Sequence, residues 1–118
     1  CEARGIGIVT GGPYNSGILA TGAVPGAFYN YDPAPAHSME KVAKIEVICA
    51  QFNVPLIAAA LHFPLLHNTH LAVLPGGQSA AQTRSNIAAL VCDIPSELWI
   101  SLKSAGLMHP DAPTGLPK

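Results

Sequence analysis

An apolar run, Leu71-Ala72-Val73-Leu74, is broken by Pro75-Gly76-Gly77 and followed by Ser79 and a stretch of helical spacing to about Leu90. A short strand, a glycine turn and a serine-capped helix, in that order, constrain this chain more than any other feature. They point to an α/β plan with the turn at the carboxyl end of its strand. Backbone N–H groups at such a helix start point outward, and the helix dipole favours negative charge there. The same pattern also fits an ordinary βα turn that binds nothing.

A second unit of this kind opens the chain. Gly5-Ile6-Gly7-Ile8-Val9-Thr10 is apolar and β-branched, and Gly11-Gly12-Pro13-Tyr14-Asn15-Ser16-Gly17 breaks it. Two strands with glycine-rich loops, separated by a long helical stretch, predict a βαβα piece of a parallel sheet. In such folds, function sits on the loops at the carboxyl ends of the strands.

Between the two units, residues 20–37 carry Gly22, Pro25, Gly26, Pro33 and Pro35 and read as a long loop, a kind often functional. Ser38 is a good cap for a helix in which Val42, Ile45, Val47, Ile48 and Phe52 follow helical spacing; Asn53 ends it. Pro55 suits the first turn of a second helix over 55–66, apolar nearly all round and so expected to be buried on most sides. His67-Asn68-Thr69-His70 turns into the second strand. A last helix starts near Ser96 and stops at Gly106, and the proline-rich tail from His109 is expected to be loosely held.

Composition narrows the function. The chain has 118 residues, 49% of them hydrophobic, which is enough for a core and argues against disorder. Only 11% are charged, against about 25% in an average domain, as expected of a piece normally covered by more protein. The net charge is −1, with Lys and Arg scattered, so no nucleic-acid partner is expected. No apolar run approaches the roughly 18 residues of a membrane span, and no membrane partner is expected. No signal peptide is visible, and a start at Cys1 rather than Met leads us to expect a missing N-terminus. Cys1, Cys49 and Cys92 are an odd, widely spaced set, with Cys49 read as a core residue; a reducing, cytoplasmic setting fits better than a disulfide framework.

The motifs, taken in order, resemble the aldo-keto reductases, in particular their branch of aldose, L-fucose and pyridoxal dehydrogenases. Gly11-Gly12-Pro13-Tyr14-Asn15-Ser16-Gly17-Ile18-Leu19 resembles the loop after the seventh barrel strand, and Tyr29-Asn30-Tyr31 a tyrosine-rich segment in the loop that follows. Pro55-Leu56-Ile57-Ala58-Ala59-Ala60-Leu61 resembles the helix before the last strand. Val73-Leu74-Pro75-Gly76 and Asn86 are similar to the cofactor loop and helix after the eighth, and Asp111-Ala112-Pro113 to the close of the chain. The resemblance implies the C-terminal fragment of a (β/α)8 TIM barrel: the seventh and eighth βα units plus a C-terminal helix, as one partial domain over 1–118. Two strands alone leave sheet edges bare.

The resemblance also implies a nicotinamide dinucleotide. Gly76 and Gly77, after Pro75, let backbone approach a phosphate closely. Ser79 offers a hydroxyl, while Gln82 and Asn86, four apart on one helix face, can meet an adenine edge. A capping serine with two exposed amides fits the spacing as well. Gln78 stands where many members carry an arginine for the 2′-phosphate of NADP, and Ser85 where many carry an acidic residue. Losing that arginine tilts the cofactor toward NAD, with NADP still open. Arg84 lies on another helix face. Gly11 stands where most of the family stacks a tyrosine under the nicotinamide. Gly12, Ser16 and Gly17 belong to the same loop, and Ser16 and Gly17 can offer donors to the pyrophosphate. A turn that only lets the chain leave its strand is the alternative.

No catalytic residue is assigned. The family's tyrosine, lysine, aspartate and histidine lie in its first four units, and Tyr14, Tyr29 and Tyr31 have no lysine placed to lower a phenol pKa. His62, His67 and His70 cluster in sequence, but no Cys or carboxylate completes a metal set, and none is expected. Whether the chain is itself an enzyme stays open. One reading makes it the C-terminal portion of an NAD(P)-dependent dehydrogenase of a sugar or related aldehyde or alcohol. The other makes it a non-catalytic truncated module that self-associates or pairs with a complementary fragment.

Overall fold

The computed structural model describes residues 1–115. Its fold is α/β. Strand β1 (Ile8–Gly11) pairs in parallel with β4 (His70–Leu74), Thr10 opposite Val73 and Gly11 opposite Leu74, with an irregularity between Ile8 and Val9. Everything between them is crossover: helix α1 (Ile18–Thr21), a hairpin of β2 (Phe28–Tyr29) and β3 (Asp32–Pro33), then α2 (Ala36–Gln51) and α3 (Leu56–His62). Helices α4 (Ala80–Leu90) and α5 (Ser96–Ser104) follow β4. A parallel pair needs such a crossover, and this one carries its helices.

The core lies between the helices. Ala58, Ala59 and Leu61 of α3 meet Cys49 of α2, Ala89 of α4 and Leu98, Trp99 and Leu102 of α5. Small alanines on α3 allow close approach to its neighbours. A second cluster, Ile18, Ala27 and Val42, anchors α1 to α2.

Several boundaries differ from those the sequence predicts, for local reasons. Helix α2 starts after Pro35, not at Ser38, which lies buried inside it. Asn53 ends the helix in the left-handed region at φ 60°, a conformation asparagine tolerates. The apolar stretch 55–66 is not one helix: α3 ends at His62 and a 3-10 turn takes Pro64–Leu66. Pro64 has no N–H to give to the turn before it. The expected loop over 20–37 contains the β2–β3 hairpin, turned by Asn30 and Tyr31 at φ 52° and 68°, the signs a two-residue hairpin turn requires. Of the tail expected to be loosely held, the described part, 109–115, is tethered at Ala112, whose carbonyl accepts from Lys103 Nζ at 2.5 Å; residues 116–118 lie outside the described residues.

One face of the strand pair has nothing on it. Val9, Leu71 and Leu74 are 61%, 71% and 66% exposed. Among the described residues no single helix is long and apolar enough to cross a membrane.

Candidate dinucleotide site

Parallel pairing puts the ends of β1 and β4 side by side, so their loops leave from the same edge. Four residues of the first loop are left-handed: Gly12 at φ 60°, Asn15 at 52°, Ser16 at 67° and Gly17 at 114°. Glycine adopts this freely and asparagine tolerates it, so Ser16 holds strained backbone, of the kind that collects at functional sites. The Tyr14 carbonyl secures the turn by accepting from Gly17 N at 3.0 Å and Leu19 N at 3.1 Å. Ser16 Oγ accepts from the Tyr31 N–H at 2.8 Å, which ties the loop to the hairpin.

The second loop is held from α4. Ser79 has extended backbone and its hydroxyl accepts from Gln82 N at 3.1 Å, an N-cap. Gln82 Oε1 in turn accepts from Gln78 N at 2.7 Å. Thr83 Oγ1 donates to the Ser79 carbonyl at 3.2 Å. Asn86, one turn further along and only 7% exposed, donates from Nδ2 to the Gly76 carbonyl at 3.3 Å. Its Oδ1 accepts from the Tyr14 hydroxyl at 2.5 Å. The two glycine loops therefore meet through one amide.

Each residue singled out in the sequence can now be placed. Gly11, Gly12, Ser16 and Gly17 lie on the first loop. Pro75, Gly76, Gly77, Gln78 and Ser79 lie on the second, and Gln82 and Asn86 on the first turns of α4. The space beside Gly11, Gly12, Gly17 and Gly76 is open: a Cβ there would meet no atom within 4 Å. Gly77 is tighter, with Thr83 Oγ1 3.0 Å from such a Cβ. The N–H groups of Ala80 and Ala81, ahead of the first bonded amide of α4, have no intrachain partner among the described residues. The polar groups of Ser79, Gln82 and Asn86 serve the loop itself.

Tyr14 is the participant that the spacing does not reveal, because its partner lies 72 residues away. Its pKa is raised by burial, so the phenol stays a donor at neutral pH. The histidines lie elsewhere. His62 Nε2 reaches the Ala89 carbonyl at 3.2 Å, and His67 Nδ1 meets Thr69. Among the described residues no three His, Cys, Asp or Glu groups come together as a metal site. A cavity of about 420 Å³ borders the first loop at Gly12, Pro13 and Asn15 and is lined chiefly by apolar groups including Leu56, Trp99, Leu102 and Met108. It touches no residue of the second loop.

No family model matches the chain. Two characterised proteins do. It is 37% identical over 107 residues to a pyridoxal 4-dehydrogenase of Microbacterium luteolum, a match covering 91% of this chain and 31% of that protein. It is 34% identical over 109 residues to a D-threo-aldose 1-dehydrogenase of a Pseudomonas species, covering 92% of this chain and 33% of that protein. The chain belongs to the aldo-keto reductase branch of these two dehydrogenases. It spans about a third of the length of each. Each match takes in about nine-tenths of this chain.

Proposed function

We propose that this chain supplies the dinucleotide-binding loops of an NAD(P)-dependent dehydrogenase of the aldo-keto reductase type. In this reading it is the C-terminal fragment of a (β/α)8 barrel, its seventh and eighth βα units, and the intact protein acts on an aldose or a related aldehyde or alcohol. The observation that carries the reading is the meeting of two glycine loops at one sheet edge, bridged by Asn86. Both loops leave room for backbone contact with a ligand, and α4 presents unpaired N–H groups to an anion. The residues fit a pyrophosphate. Gly76, Gly77, Ala80 and Ala81 would hold it from one side and Gly12, Ser16 and Gly17 from the other. The bound dinucleotide would supply the hydride chemistry. Gln78 carries no charge for a 2′-phosphate, which favours NAD.

Isothermal titration of the chain with NAD, NADP and free nicotinamide tests this. Saturable heat with NAD, weaker heat with NADP and none with nicotinamide is expected. No heat with either dinucleotide at millimolar concentration contradicts it.

A second reading rests on the bare strand face. Val9, Leu71 and Leu74 form an uncharged surface on a two-stranded sheet. A truncated module with such a face would persist by self-association or by pairing with a complementary fragment.

A further inference from the structure

We propose that Tyr14 is a positioning residue for the dinucleotide site: through the Asn86 amide it fixes the Gly76 carbonyl and locks the two glycine loops into one register. The inference rests on the reading of those loops as a dinucleotide site. It begins with Asn86, a buried polar side chain on α4. A buried amide must find partners or cost free energy. Asn86 finds two, one on each loop: the Tyr14 hydroxyl at Oδ1 and the Gly76 carbonyl at Nδ2. With Oδ1 occupied and the side chain buried, Asn86 has one N–H left to offer a ligand. Its main work is within the chain.

The consequence for binding follows from peptide geometry. The C=O and N–H of one trans peptide point in opposite directions. Turning the Gly76 carbonyl toward Asn86 therefore turns the Gly77 N–H away from it. Glycine at both positions would otherwise let this peptide plane rotate freely. Tyr14 acts on both loops at once. Its carbonyl holds Gly17 and Leu19 in the first, and its hydroxyl sets the second through Asn86. Its ring packs against the main core, so the hydroxyl has a fixed base.

Amide hydrogen exchange on the full chain without ligand, followed by NMR, tests the lock. The variants are Tyr14→Phe, Asn86→Ala and the double variant. Tyr14→Phe keeps the ring in the core, so it carries the test alone if Asn86→Ala does not fold. Exchange at residues 76–79 should quicken about 5-fold, as for loss of one ordinary hydrogen bond, with α2 and α5 unchanged. The double variant should exchange no faster than the faster single one, because both cut the same link. The Kd for NAD should rise by a similar factor. Unchanged exchange at 76–79, or a rise spread over every helix, overturns the proposal. Loop loosening in a chain that binds no NAD overturns the dinucleotide reading and leaves the lock standing. NAD binding with no loop response does the reverse.

Discussion

In the proposed reading, Gln78 sets the cofactor preference. It lies exposed beside the α4 start, with its backbone N–H bound to Gln82. Gln78→Arg should strengthen NADP binding by about 1–3 kcal/mol, the range of a charge-assisted hydrogen bond, and leave NAD nearly unchanged. Paired titrations with the two dinucleotides measure this, and an unaltered NAD/NADP ratio contradicts it. Cys49 makes a different prediction. Burial chiefly, with Glu46 nearby, pushes its thiol up to about 11 from 9.0. The folded protein therefore keeps Cys49 protonated where the unfolded chain would ionise. The resulting stability is full below pH 9.0 and is lost as pH rises toward about 11. Denaturant midpoints across that window should fall in the wild type and fall less in Cys49→Ala. A thiol reagent at neutral pH should react with exposed Cys1 well before Cys49. The sequence makes Cys49 legible as core, because its helical neighbours are apolar. It could not show the Tyr14–Asn86 bond. Nothing local relates a phenol at one strand's end to an amide on the last strand's helix until the two strands pair.

At the scale of elements, local chemistry explains both the agreements and the differences. Helix α4 follows its signals: Ser79 caps it and Leu90 ends it. Ser79→Ala should cost about 1 kcal/mol by chemical denaturation, while Ser79→Asp should cost much less because a carboxylate also caps. Equal losses in the two variants would show that the hydroxyl is not capping. The strand pair was legible too, since each apolar run ends in glycine. The hairpin at 28–33 was not, because Asn30-Tyr31 lacks the glycine that usually marks such a turn. Ser38 misled for a related reason: it is a good capping residue, yet Pro35, already extended at ψ 157°, opens the helix three residues earlier. Pro64 was visible in the sequence, but the apolar run around it masked its effect on α3.

At the scale of the whole molecule, the helices have a core and the sheet does not. Ala58, Leu61, Leu98 and Trp99 are buried, while one face of β1 and β4 is bare. Hiding a few hundred Å² of such surface at about 25 cal/mol per Å² is worth several kcal/mol, enough to drive association despite its entropic cost. Sedimentation of the chain should show species heavier than 12.2 kDa, and Leu71→Lys with Leu74→Glu should shift them toward monomer. A sharp 12.2 kDa species in the unaltered chain would contradict this. The glycine loops lie at the strand ends, beyond that face, and should stay available in the associated form.

The central claim is that both loops form one dinucleotide site, and mapping NAD onto the backbone amides by NMR tests it most directly. The account predicts saturable shifts at Gly11, Gly12, Ser16 and Gly17 together with Gly76, Gly77, Gln78, Ser79 and Gln82, moving with one shared Kd. Shifts confined to the cavity around Trp99 and Met108, or none on either loop, would contradict it.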